Sequence, residues 1–226
     1  MDNLSIPAFL DRTPLVFTYT NLNTYDICPY QFYRRYVVKD ISYQETETMK
    51  FGNQVHSAFE QRLAGGKPLP ENMRDWEVHA APFANLKPKV EWKLAVKRDG
   101  KPSDYWNGAF VRGKVDCAIL QSPVAFMADW KTGKVREDPF ELEVGALLLK
   151  ANAPYITRIY GSYVWLKENR IGERHDLSDV EATTKKVAAR IRAIEADLAG
   201  NSFEKKQGPL CRFCDVLECE FNRKEK

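Results

Sequence analysis

FVRGKVDCAILQSPVAFMADWKTGK, residues 110–134, sets what the rest of the chain must pack against. It reads as two adjacent strands. On the first, Arg112, Lys114 and Asp116 alternate with Val111, Gly113, Val115 and Cys117. On the second, Met127, Asp129 and Lys131 alternate with Phe126, Ala128 and Trp130. Successive side chains of a strand point to opposite faces, so each strand is expected to carry an acid on its polar side, with Lys131 beside Asp129. Two carboxylates and an ammonium converging at strand ends suit a divalent-metal phosphodiesterase. The acids would hold Mg²⁺ or Mn²⁺, hard cations that take oxygen ligands, while the lysine positions the attacking water and offsets phosphate charge. Asp-x-Lys is also a common tripeptide on solvated strands, so the assignment needs support from elsewhere in the chain.

Upstream, Lys87 to Lys97 reads as a third strand: Val90, Trp92, Leu94 and Val96 alternate with Lys89, Glu91, Lys93 and Lys97. Paired beside the 110–120 strand, it would bring Glu91 to Asp116 and Asp129 as a further metal ligand. Lys89, Lys93 and Lys114 would then flank the site and grip a phosphate backbone. The competing reading is an edge strand defended by lysines. Further upstream, Thr20 or Asn21 can cap a short helix, and Pro29 fits the first turn of a second one reaching about Val38. That helix carries Tyr30, Phe32, Tyr33 and Tyr36 beside Arg34 and Arg35, a combination that stacks bases and grips phosphates or packs on a core with the arginines reaching water. Phe51 to about Leu63 reads as a helix with Val55, Phe59 and Leu63 on its apolar stripe, and His56 and Glu60 share another face.

Downstream, Asp138–Pro139 opens a helix to about Lys150, followed by a strand from Thr157 to Lys167. SDVE from Ser178 reads as a capping box for a long helix striped by Val180, Thr184, Val187, Ile191, Ile194 and Leu198. Three strands, a helix, a strand and a helix give an α/β sheet with helices against it. The C-terminal PLCRFCDVLECEF spaces Cys211, Cys214 and Cys219 as C-x₂-C-x₄-C, and Cys28 lies far upstream. Clustered cysteines in a reducing compartment point to a metal or cluster, and four thiolates suit an iron–sulfur cluster or a structural Zn²⁺. Cys117 falls on the apolar face of its strand and is expected in the core.

No run approaches the ~20 apolar residues of a membrane span, and MDNLSIPAFLDRTP lacks the layout of a signal peptide; a cytoplasmic protein is expected. Residues 1–17 read as an irregular lead-in. A net charge of +3 is too small to argue for nucleic acid by itself.

Taken together, TNLNTYDICPYQF (20–32), FGNQVHSAFE (51–60), GKVD (113–116), DWKTGK (129–134) and the C-terminal cysteines resemble the RecB-family exonucleases of the PD-(D/E)XK superfamily, similar to CRISPR-associated RecB-like nucleases and the AddB nuclease domain. The resemblance covers nearly the whole chain. It implies a single domain over 1–226: an N-terminal helical part (18–64), a nuclease core (87–168) built on a mixed sheet flanked by helices, and a cysteine segment (205–226). It also implies His56, Asp116, Asp129 and the Trp130 carbonyl as metal ligands, Lys131 as the signature lysine, and Cys28, Cys211, Cys214 and Cys219 around a [4Fe–4S] cluster joining the two ends. The role of His56 rests on the resemblance alone. One departure stands out: where the family carries Gln and, four residues on, Tyr, this chain has Glu141 and Gly145. Two functions are therefore weighed, a metal-dependent DNA exonuclease and a DNA-end-binding or adaptor module serving a helicase, recombination or CRISPR integration complex.

Overall fold

Six strands form one mixed sheet in the computed structural model, which describes residues 15–41 and 45–223. β1 (Lys89–Val96), β2 (Val111–Gln121) and β3 (Val124–Lys131) run antiparallel in sequence order; β4 (Arg158–Trp165) lies parallel to β3, and the short β5 (Arg170–Ile171) and β6 (His175–Asp176) both pair with β4. The parallel β3–β4 pair needs a crossover, and α5 (Phe140–Asn152) supplies it. One face of the sheet is covered by α5, α6 (Val180–Gly200), α1 (Tyr19–Ile27) and α2 (Pro29–Phe32). The other is covered by α3 (Glu47–Gly65) and α4 (Glu77–Ala84). The expected α/β architecture is the one the chain forms. Among the described residues no helix is long and apolar enough to cross a membrane.

Local chemistry sets the helix ends. α3 starts where the Thr46 side chain accepts from Met49 N and ends at Gly66, whose φ of 71° suits a residue without Cβ. Val55, Phe59 and Leu63 are its buried stripe, as expected. α1 is capped two residues earlier than expected: Thr18 and Asn21 form a reciprocal capping box, and Asn21 Nδ2 also donates to Val16 O, so Asn21 is buried inside the first turn. The helix from Pro29 changes character at Tyr33, with Tyr33–Val38 wound as a π-helix. In α6 the cap is Asp179, not Ser178, because Ser178 Oγ is held by the Ile159 backbone of β4; the buried threonine is accordingly Thr183, and Thr184 faces solvent. Of the lead-in expected over 1–17, residues 1–14 lie outside the described residues. Phe17 bridges Val111 and donates to Phe110 O at 2.8 Å.

The strands depart from simple alternation at one cross-strand pair. In β2, Val111 and Val115 pack into the α5 layer, but Cys117 and Ile119 pack into the α3 layer, with Ala118 taking over the α5 side. Cys117 is core as expected, on the opposite face from Val115. In β1, Leu94, Val96 and Trp92 face α5 while Val90 faces α3. Both strands therefore slip by one, at Glu91 and at Asp116, which the register places opposite each other between Val90↔Cys117 and Trp92↔Val115. Glu91 takes φ 45°, a left-handed conformation uncommon for a residue with a Cβ.

Candidate metal centre and cysteine pocket

Asp116 and Asp129 stand where the sheet forks. The β2–β3 ladder ends at Cys117↔Ala128, and the next residues along the two strands are Asp116 and Asp129. From there β3 stays with β4, through Asp129↔Tyr163 to Lys131↔Trp165, while β2 stays with β1. The gap is closed by a side chain: Trp130 N donates to Asp116 Oδ2 at 3.0 Å. Trp130 itself is wedged against Phe59 of α3 and Phe83 of α4, with ring centroids at 4.6 and 5.5 Å, so its backbone has little freedom.

Across the fork, His56 of α3 sets Nδ1 3.2 Å from Asp116 Oδ2 and 3.5 Å from Glu91 Oε1. One donor atom each from His56, Glu91 and Asp116 lies within 4.8 Å of the others. These three line a cavity of ≈ 610 Å³ bounded by α1, α3, β1, β2 and α5. Burial opposes the charge on His56, but hydrogen bonds to Asp116 and Glu91 and the field of Asp116 and Asp129 prevail and push it up to about 10. Lys114, paired with Glu91, adds a second cation against the same acids.

Asp129 stands outside that trio. It is deeply buried, and desolvation drives its carboxyl well above the usual range, opposed by Lys131 and reinforced by Asp116 and Glu141. Its Oδ1 is buried without a hydrogen bond, although Lys131 Nζ lies 2.8 Å away as an ion pair. Lys131 Nζ donates instead to Glu141 Oε2 at 2.7 Å and sits 5.4 Å from the Tyr163 ring centroid. The site thus brings His56, Glu91 and Asp116 into one group and sets Asp129 and Lys131 beside it. Three carboxylates and an imidazole, with Asp129 buried beside the other three, are a donor set that fits a hard divalent cation.

The cations expected to grip DNA are disposed unequally. Lys89 is exposed. Lys114 is paired with Glu91, and Lys93 lies over the rings of Tyr105 and Trp106. Arg34 is paired with Asp40 and Glu218, and Arg35 with Asp215. These two arginines bind the C-terminal segment to the N-terminal helices. The cavity is also lined by Tyr19, Tyr105 and Arg112, which sequence reasoning did not assign to the site; the signal that could have found Tyr105 is the Tyr105–Trp106 pair ahead of the Asn107–Gly108 turn, which ends five residues before Gly113.

Cys28, Cys211, Cys214 and Cys219 line a second cavity of ≈ 300 Å³ with Tyr30, Leu210 and Val216. Burial raises the Cys214 thiol, opposed by a backbone hydrogen bond at Val216 and reinforced by the other three cysteines. Gly208 N points at Cys211 Sγ from 3.3 Å. Cys28 and the three C-terminal cysteines, far apart in sequence, thus face the same pocket.

The mixed β1–β2–β3–β4 sheet thus carries an acid on each arm of its fork, a lysine two residues beyond Asp129 and a helical crossover after it. The sequence profile of the PD-(D/E)XK nuclease superfamily matches residues 16–219, and the chain belongs to that superfamily. A Eubacterium rectale protein described as a candidate exonuclease has a crystal structure that superposes with a TM-score of 0.56 at 12% identity, over 94% of this chain and 88% of that one, a likeness of fold. The Gene 69 protein of Mycobacterium phage L5 is 27% identical over 135 residues, which are 58% of this chain and 43% of the phage protein.

Proposed function

We propose that the chain is a Mg²⁺- or Mn²⁺-dependent deoxyribonuclease, an exonuclease that hydrolyses phosphodiester bonds at DNA ends or in single strands. The observation that carries this reading is the closure of His56, Glu91 and Asp116 donor atoms to within 4.8 Å beside Asp129 and Lys131. His56, Glu91, Asp116, Asp129 and the Trp130 carbonyl are the residues that would hold the metal. The bound cation would supply Lewis acidity toward the scissile phosphate. Lys131 would donate to the attacking water or to a phosphate oxygen, with Asp129 holding its ammonium in place. Trp130, locked between Phe59 and Phe83, would fix the carbonyl and keep Asp116 oriented through its N–H.

Purified protein is expected to degrade end-labelled DNA with either metal and to stop in EDTA. Asp129→Ala and Lys131→Ala should each abolish cleavage while leaving the far-ultraviolet spectrum unchanged; cleavage that persists in Asp129→Ala would falsify the assignment. The four cysteines that line one pocket would hold a [4Fe–4S] cluster, with a structural Zn²⁺ as the alternative. Anaerobically prepared protein should be brown with broad visible absorbance, whereas colourless protein carrying stoichiometric zinc would replace the cluster with a zinc staple.

One observation favours a second reading, a DNA-end-binding or adaptor module serving a helicase or CRISPR integration complex. The Lys131 ammonium is held between two acids, Asp129 and Glu141, which opposes its engagement with phosphate. Tight binding of DNA ends without turnover, in the presence of Mn²⁺, is the result that would select it.

A further inference from the structure

The loop between β1 and β2 is folded tightly around an exposed aromatic pair. Asp104 Oδ1 accepts from Trp106 N at 2.9 Å and Asn107 N at 2.8 Å; Ser103 Oγ reaches Asn107 O at 3.2 Å, and Gly108 turns the chain with φ 80°. Arg112 Nη1 donates to Tyr105 O at 3.0 Å and fastens the loop to β2. This scaffold leaves Trp106 67% exposed, the most exposed of the large apolar side chains among the described residues. Tyr105 meets it edge-on at 4.9 Å between centroids. Two cations serve the pair: Arg112 lies 4.9 and 5.2 Å from the Tyr105 and Trp106 centroids, and Lys93 lies 5.9 and 5.3 Å from them.

The position of this group gives it a use. Tyr105 and Arg112 line the same cavity as His56, Glu91 and Asp116. Arg112 precedes Asp116 by four residues on β2, roughly 13 Å at strand rise, which is within a few nucleotides of the metal centre. A rigid, solvent-facing indole flanked by cations matches what an unpaired base requires: a π-face for the ring and positive charge for the phosphate that precedes it. Bases inside a duplex have both faces covered by their neighbours and cannot use it. We propose that Trp106 and Tyr105 form a stacking platform for an unpaired base of the nucleic-acid substrate, with Lys93 and Arg112 holding its phosphate. The platform makes this chain select single-stranded DNA at its cleft. The assignment rests on the nuclease reading of that cleft, but its test does not depend on cleavage.

Binding of a fluorescent single-stranded oligonucleotide and of a blunt duplex of the same sequence to the full chain is measured by anisotropy with EDTA present, so that the DNA stays intact. Trp106→Ala is expected to weaken single-strand binding by about tenfold, Trp106→Phe to restore most of it, and neither to shift duplex binding or the thermal midpoint. Replacing the oligonucleotide's bases one at a time by abasic sites should identify one position at which Trp106→Ala no longer has any effect. Unchanged single-strand affinity in Trp106→Ala, an equal loss for duplex, or no abasic position that cancels the effect each overturns the platform. A chain that passes this test but never hydrolyses DNA loses the nuclease reading and keeps the platform; one that cleaves DNA and fails it loses only the platform.

Discussion

Glu141 approaches Lys131 Nζ at 2.7 Å, and on the proposed function its charge would face the phosphate beside that ammonium. A like charge ~4 Å from a phosphate oxygen costs about 1 kcal/mol even in high dielectric, or roughly fivefold in rate. Glu141→Gln is therefore expected to raise the single-turnover cleavage rate by about that factor, measured by rapid quench at saturating Mn²⁺, and to leave Asp129 and the metal ligands in place. A rate that falls would mean that Glu141 orients the lysine more than it restrains it. Lys131→Arg should not rescue Lys131→Ala, since the planar guanidinium cannot fill the buried slot between Asp129, Glu141 and Tyr163. At this scale Asp116, Asp129 and Lys131 were legible as candidates because charged side chains on half-buried strands are conspicuous, although alternation itself breaks at Asp116. The part of His56 was not: a histidine and an acid four apart on a helix are common, and what distinguishes this one is that α3 lays it over Glu91 and Asp116, a contact far away in sequence.

The elements around the fork act through Trp130. Its indole touches Phe59 and Phe83, and its backbone N–H restrains Asp116, so one residue joins two helices to the fork in the sheet. Trp130→Ala should cost about 3–5 kcal/mol of stability, read as a large fall in the urea midpoint, and Trp130→Phe much less; recovery of cleavage in the phenylalanine variant would separate packing from chemistry. The order and type of the strands and helices could be read from periodicity, because each long element has a clear apolar stripe. The slip at Glu91 and Asp116 could not. Alternation predicts that Cys117 follows Val115 on one face, and only the packing of α3 against Cys117, Ile119 and Ala128 shows that the phase changes there. The caps of α1 and α6 were misplaced for a related reason. Thr18 competes with Thr20 and Asn21, and Asp179 with Ser178, as equally good cap residues, and tertiary contacts at Val16 O and Ile159 decide between them.

On the scale of the whole molecule, the C-terminal segment returns to the helices that open the chain. Tyr30 N donates to Glu204 O at 3.0 Å, Tyr33 stacks on Phe203 at 4.6 Å, Lys206 Nζ reaches Asp26 O, and Arg34 and Arg35 pair with Glu218 and Asp215. The cysteine pocket lies inside this seam. Cys28→Ser is expected to lower the thermal midpoint of iron-loaded protein by about 6 °C, equivalent to ~2 kcal/mol for a chain of this size, and to expose residues 203–222 to limited proteolysis; unchanged protection would mean that the ion pairs alone hold the seam.

That seam also gives the polypeptide an order of completion. The helices from Tyr19 to Val38 meet their last neighbours only when Phe203 to Cys219 have left the ribosome, so a nascent chain can lay down its sheet well before the wall beside Cys28 is finished. Messages cut short ahead of codon 211 would thus yield a body with Asp116 and Asp129 present and its clasp open.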